Sequence, residues 1–128
     1  MLKKHSFNVT RLVTILYICI FKVGMNIHNK SSLIQFWLKH SESKKELELW
    51  FNDVSDLIWR NPNNVKVFYS DASIIKNSRV VFNICHNKYR LIVQFNYSKG
   101  WAFIKFIGTH KEYMNIDAET VNHFSPKK

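Results

Sequence analysis

His110 and Lys111 stand in the run Gly108-Thr109-His110-Lys111-Glu112-Tyr113, at the end of a stretch, Lys76 to Lys111, that holds seven Lys or Arg residues and no Asp or Glu. An imidazole with an ordinary pKa near 6.5 can take or give a proton close to neutral pH. A guanidinium such as that of Arg90 or Arg79 can hold two phosphate oxygens and stays charged. Tyr113 offers a ring for an unpaired base or a hydroxyl for the group being cut. A phosphate grip joined to proton-transfer groups is what RNA cleavage by its own 2′-hydroxyl requires: one proton removed, one donated, and extra charge on phosphorus neutralised.

Each of these residues also has a plainer reading. His110 is either the proton-transfer group or a polar loop residue with a structural hydrogen bond. Arg79 and Arg90, with Lys88 at the turn between their strands, are either phosphate-binding groups or solvated charges on a sheet. Lys111 adds charge at the strand exit. Tyr113 either stacks on RNA or packs in the core, and Tyr89 and Tyr97 share a face with Leu91, Val93 and Phe95 and are assigned to the core. His5, His28, His40 and His123 have no supporting context.

These side chains need a sheet to present them. Arg79 to Ile84, Tyr89 to Tyr97 and Trp101 to Ile107 read as three strands, joined by the turns Cys85-His86-Asn87-Lys88 and Ser98-Lys99-Gly100. Met25 to His28 alternates as a short first strand. Ser32-Leu33-Ile34-Gln35 has the form of a capping box opening a helix to about His40, and Ser43-Lys44-Lys45-Glu46 that of a second. The second helix places Leu47, Trp50, Phe51, Val54, Leu57 and Ile58 at helical spacing, with an acidic opposite face. Asn61-Pro62-Asn63-Asn64 is expected to be a loop, and Val65 to Tyr69 reads as either a helical turn or a strand. Two helices followed by an antiparallel meander imply an α+β domain with its helices on one face.

The whole chain has 128 residues and a formal net charge of +10. That length suits one domain with a real core. The charge points to nucleic acid, an anionic membrane or an acidic partner, and it is uneven, because residues 41 to 58 carry five acids against Lys44 and Lys45. Cys19 and Cys85 form no disulfide framework, which fits a reducing cytoplasm. The basic sheet has no acidic or Cys/His cluster for a metal, and three glycines leave no phosphate-binding loop or nucleophile elbow. No cofactor is expected.

Residues 1–24 differ from the rest. Lys3 and Lys4 precede the apolar run Leu12 to Phe21, which is about as long as a signal-peptide core and too short to span a bilayer. The run is an uncleaved export signal, a membrane-touching leader, or upstream sequence translated ahead of a natural start at Met25. The last reading is preferred, with residues 25–128 as the folded domain.

RVVFNICHNKYRLIVQFNY at Arg79 to Tyr97, FIGTHKEY at Phe106 to Tyr113 and IDAET at Ile116 to Thr120 resemble the HigB type of RelE-like toxin. The similarity extends back through Phe36-Trp37 and Trp50, covering roughly residues 25 to 121. It departs from the usual pattern after Glu112-Tyr113, where Met114-Asn115 stands in place of Asp-Lys. The resemblance implies a RelE-like fold and the toxin of a type II toxin–antitoxin pair. It also implies a metal-free endoribonuclease that cleaves mRNA on the translating ribosome, held inactive by a HigA-type helix-turn-helix antitoxin and touching DNA only through it, in the cytoplasm and without a membrane. The alternative is a non-catalytic RNA-binding or protein-interaction module on the same fold.

Overall fold

A computed structural model describes residues 24–124; the expectation for the leader lies outside the described residues. In chain order the elements are β1 (Asn26–His28), α1 (Lys30–Lys39), a 3-10 turn (Ser41–Ser43), α2 (Lys44–Asp56), α3 (Pro62–Phe68), β2 (Ser73–Ile75), β3 (Arg79–Ile84), β4 (Tyr89–Asn96), β5 (Trp101–Thr109) and α4 (His110–Tyr113). The five strands form one sheet in the order β1-β5-β4-β3-β2. All neighbours are antiparallel except β1, which pairs parallel with β5. The chain is an α+β domain, as its sequence implies.

Strand alternation gives the sheet two different faces. Val80, Phe82, Ile84, Leu91, Val93, Phe95, Ala102 and Ile104 point toward the helices and form the main core with Leu33, Leu47, Trp50, Val54 and Trp59. The Trp50 ring meets Phe82 edge-on, with centroids 5.5 Å apart. On the opposite face Val81, Ile92 and Phe106 form a smaller cluster roofed by Tyr113, Ile116, Ala118 and Val121, so the segment after α4 crosses the outer face.

Several helix boundaries differ from the sequence reading. α1 starts two residues before Ser32, after Asn29 in the left-handed region at φ 75°. Ser32 Oγ donates to the Asn29 carbonyl at 2.6 Å, and Ser43 Oγ likewise donates back to His40 O at 2.7 Å. Both serines therefore bond toward the preceding chain and neither caps a helix amide. Asn61-Pro62 opens α3: Asn61 Oδ1 accepts from Asn64 N, and Pro62 occupies the first turn, where its missing N–H costs nothing. The expected loop is thus a helix start, Val65 lies inside that helix, and the fold has a third helix on the core side. β2 was not anticipated; three residues with one polar member carry too little alternation to register.

Candidate functional site

β4 begins and β5 ends at the same edge of the outer face, where Tyr89 pairs with Thr109 and Arg90 with Gly108. The Lys88 carbonyl then accepts the His110 amide at 3.0 Å, tying the turn before β4 to the first residue of α4. Thr109 is the helix N-cap: its Oγ1 accepts from Glu112 N at 3.1 Å, and Glu112 Oε1 accepts from Thr109 N at 2.8 Å. This reciprocal box stabilises a one-turn helix that has too few residues to hold itself. Gly108 makes room for it, because a Cβ there would stand 2.7 Å from Glu112 Oε1 and 2.7 Å from the Phe106 ring. The imidazole of His110 is exposed at the end of this braced exit.

Arg90 and Tyr113 meet beside it. The Arg90 guanidinium carbon lies 5.6 Å from the centre of the Tyr113 ring, and Nη1 donates to the carbonyls of Asn87 at 3.0 Å and Tyr89 at 3.2 Å. The Tyr113 ring is half buried against the Val81–Ile92–Phe106 cluster, so both plain readings of Tyr113 hold in part: one side packs, the other faces Arg90. Lys111 is exposed on α4.

Lys88 is exposed but engaged. Its Nζ lies 3.0 Å from Glu42 Oε2, with the two side chains 62% and 46% exposed. Tyr89 donates its hydroxyl to the same carboxylate oxygen and lies 3.4 Å from His40 Nδ1. The Tyr89 hydrogen bond, a backbone amide and Lys88 together hold the Glu42 carboxyl far below its usual range, at about 2. Burial, and then Glu42, push the Tyr89 hydroxyl up to about 12. The 3-10 turn is thereby fastened to the rim of the site. Sequence reasoning placed Tyr89 correctly in the core but gave no sign of Glu42, its partner 47 residues away.

Arg79 requires a correction. It lies on the same face as Arg90, but its register partner is Gln94, and the Val81–Ile92–Phe106 row separates the two arginines. Only 5% of Arg79 is exposed. Its Nη1 donates to the carbonyls of Ala118 at 3.0 Å and Val121 at 2.7 Å. Burial lowers its pKa, opposed by Asp117. A guanidinium committed to two carbonyls under a covering segment does not present a phosphate clamp. It anchors the chain beyond α4.

Among the described residues, no group of three or more His, Cys, Asp or Glu is arranged to hold a metal ion. No described helix is long and apolar enough to cross a membrane.

The sequence model of HigB_toxin, described as the RelE-like toxic component of a toxin-antitoxin system, matches residues 43–116, more than half of the chain. The chain belongs to the HigB toxin family. A search of curated proteins found no match. In this HigB-family chain the matched region runs from the N-cap of α2 through all of β2 to β5 and α4. It includes His110, Arg90, Tyr113, Lys88, Lys111 and Arg79. Glu42 and β1 lie just outside it.

The Thr109-x-x-Glu112 box is a feature that the sequence itself offers. Its spacing is a helix-start signature, and it turns what reads as an abrupt polar run into a rigid mount.

Proposed function

We propose that this HigB-family protein is a ribosome-dependent endoribonuclease that cuts messenger RNA in the cytoplasm without a metal ion. The supporting observation is an exposed imidazole on a capped one-turn helix that also carries Tyr113, whose ring meets Arg90, at the end of a stretch, residues 76–111, that is rich in cations and free of acids. In the reaction the 2′-hydroxyl loses its proton as its oxygen bonds to the adjacent phosphorus. The bond to the 5′-oxygen breaks, and that oxygen gains a proton. The products are a 2′,3′-cyclic phosphate and a 5′-hydroxyl.

His110 serves one of the two proton transfers, since its side chain is accessible and imidazoles can take or give a proton near neutral pH. Arg90 neutralises charge on the pentacoordinate phosphorus, a role in which a fixed guanidinium needs no reorganisation. Tyr113 lies under Arg90 and orders it, leaving one ring edge for a base or for the scissile group. Lys111 and Lys88 add positive potential at the rim. For Lys88 an incoming phosphate competes with Glu42. A HigA-type helix-turn-helix antitoxin silences the site.

Controlled expression of the full chain tests this. Growth should stop, and mapping of messages under translation should show new 5′ ends. His110→Ala should lower the single-turnover cleavage rate about 10² to 10⁴-fold. Messages that stay intact while bound would favour the non-catalytic module instead; Met114, 66% exposed directly after Tyr113, is the local departure that motivates that reading.

A further inference from the structure

The far end of β5 carries a second concentration of rings and cations on the same face of the sheet as Arg90. Trp101 is 37% exposed, and its ring stands edge-on to that of Phe103 with centroids 6.0 Å apart. Across the parallel ladder His28 is the register partner of Phe103. It stacks on that ring at 4.6 Å and 15°, and meets Trp101 edge-on at 6.3 Å. Two ammonium groups sit over these rings, Lys99 Nζ 4.9 Å from the centre of Trp101 and Lys105 Nζ 5.5 Å from that of Phe103. His123, exposed, continues the series: its ring lies 5.2 Å from Phe106 and its amide donates to the Lys105 carbonyl at 3.0 Å. From Asn96 to Lys111 the sequence has no acid.

We propose that Trp101, Phe103 and His28, with Lys99 and Lys105, form a stacking platform for unpaired bases of the message, separate from the His110 site. The proposal rests on the reading that this protein handles messenger RNA. Seven residue steps along β5 lead from Trp101 to Gly108, which at about 3.3 Å per residue places the platform on the order of 20 Å from the cleavage site. An extended strand of message running the length of β5, past Lys105 and over the exposed His123, is long enough to reach both. Flat rings with cations above them suit RNA because every base has a stackable face and every phosphate a negative charge. One exposed tryptophan among lysines presents little apolar area for a protein partner. Stacking tolerates any base, so the platform adds grip on the message and no sequence preference.

The test is binding of the full chain to uncleavable 2′-O-methyl oligouridylates, one long enough to span both sites and one too short to leave the His110 site. Trp101→Ala should weaken binding of the long oligomer about tenfold, within the range for one stacked base, and leave the short one unchanged. Lys99→Ala, at an exposed position, should lower the slope of log affinity against log salt by about 0.7 for the long oligomer alone. It provides the reading if Trp101→Ala unfolds, which thermal melting reveals. Equal affinity of wild type and both variants for the long oligomer overturns the platform. Loss of affinity confined to vacant ribosomes also overturns it, by assigning the surface to ribosomal RNA. Because nothing is cut in this assay, Trp101-dependent binding by a chain that cleaves no message would sink the nuclease reading and leave the platform standing.

Discussion

The carboxylate of Glu112 occupies the space that a side chain on Gly108 would need, with Oε1 2.7 Å from the position of the absent Cβ. The close approach couples a strand residue opposite Arg90 to the box that starts α4. Gly108→Ala should therefore displace Glu112 and release Thr109. Loss of the cap costs about 1 kcal/mol, visible as a small fall in thermal midpoint, whereas message cleavage should fall by tenfold or more because His110 loses its mount. An unchanged cleavage rate would show that the box does not set the imidazole's position.

Arg79 gives the opposite pattern. Arg79→Gln removes charged donors from the Ala118 and Val121 carbonyls, and bonds of that kind contribute about 1.5 to 3 kcal/mol each. The variant should lose stability in denaturant titration and become more sensitive to proteases after Tyr113. Its affinity for short oligonucleotides should stay within a factor of about two once folding is accounted for. A selective loss of phosphate binding without destabilisation would restore Arg79 to the RNA-binding set.

Glu42 makes stability depend on acid. Its carboxyl titrates at about 2 in the folded chain against an ordinary 4.5, so its contribution is present above 4.5 and disappears as pH falls toward 2. Glu42→Gln should melt lower than wild type near neutral pH, by an amount that shrinks to nothing at the acid end. A melting difference that is the same at every pH would remove the carboxylate's charge from the explanation.

Two tyrosines should titrate late. Tyr89 and Tyr97 are both pushed up to about 12 from an ordinary 10, chiefly by burial. Folding stabilises their protonated forms, so stability is intact below pH 10 and declines as pH rises from 10 to 12. Ultraviolet titration of phenolate formation should show two phenolates that appear only late, until the fold opens. Tyr97→Phe should remove one late proton. Ionisation of all tyrosines together near 10 in a protein that is still folded would contradict the burial of both rings.

The sheet was legible because β3, β4 and β5 alternate cleanly around one buried face, and alternation is the property that burial enforces. His110, Arg90 and Tyr113 were legible as a group because they cluster around a strand pair whose register a short turn sets. Arg79 was misjudged for a reason that local sequence cannot show: the segment covering it, at Ala118 to Val121, comes 39 residues later. Asn61-Pro62 reads as a loop because both residues favour turns, although the same pair also starts helices. Glu42 was invisible for the same reason as the lid over Arg79, since its partners Lys88 and Tyr89 reach it only after the hairpin folds back on α1.

β1 runs parallel to β5, with Asn26 N donating to Gly100 O at 2.7 Å and His28 in register with Phe103. Among the described residues, the first strand to leave the ribosome must therefore wait for the last. Until then its hydrogen-bonding edge has no mate, and a closure over so many residues is entropically slow to form. The groups proposed to cut RNA are themselves encoded near the end of the message. On that proposal, a chain whose synthesis stops short of α4 lacks His110 and Tyr113 and cannot cut.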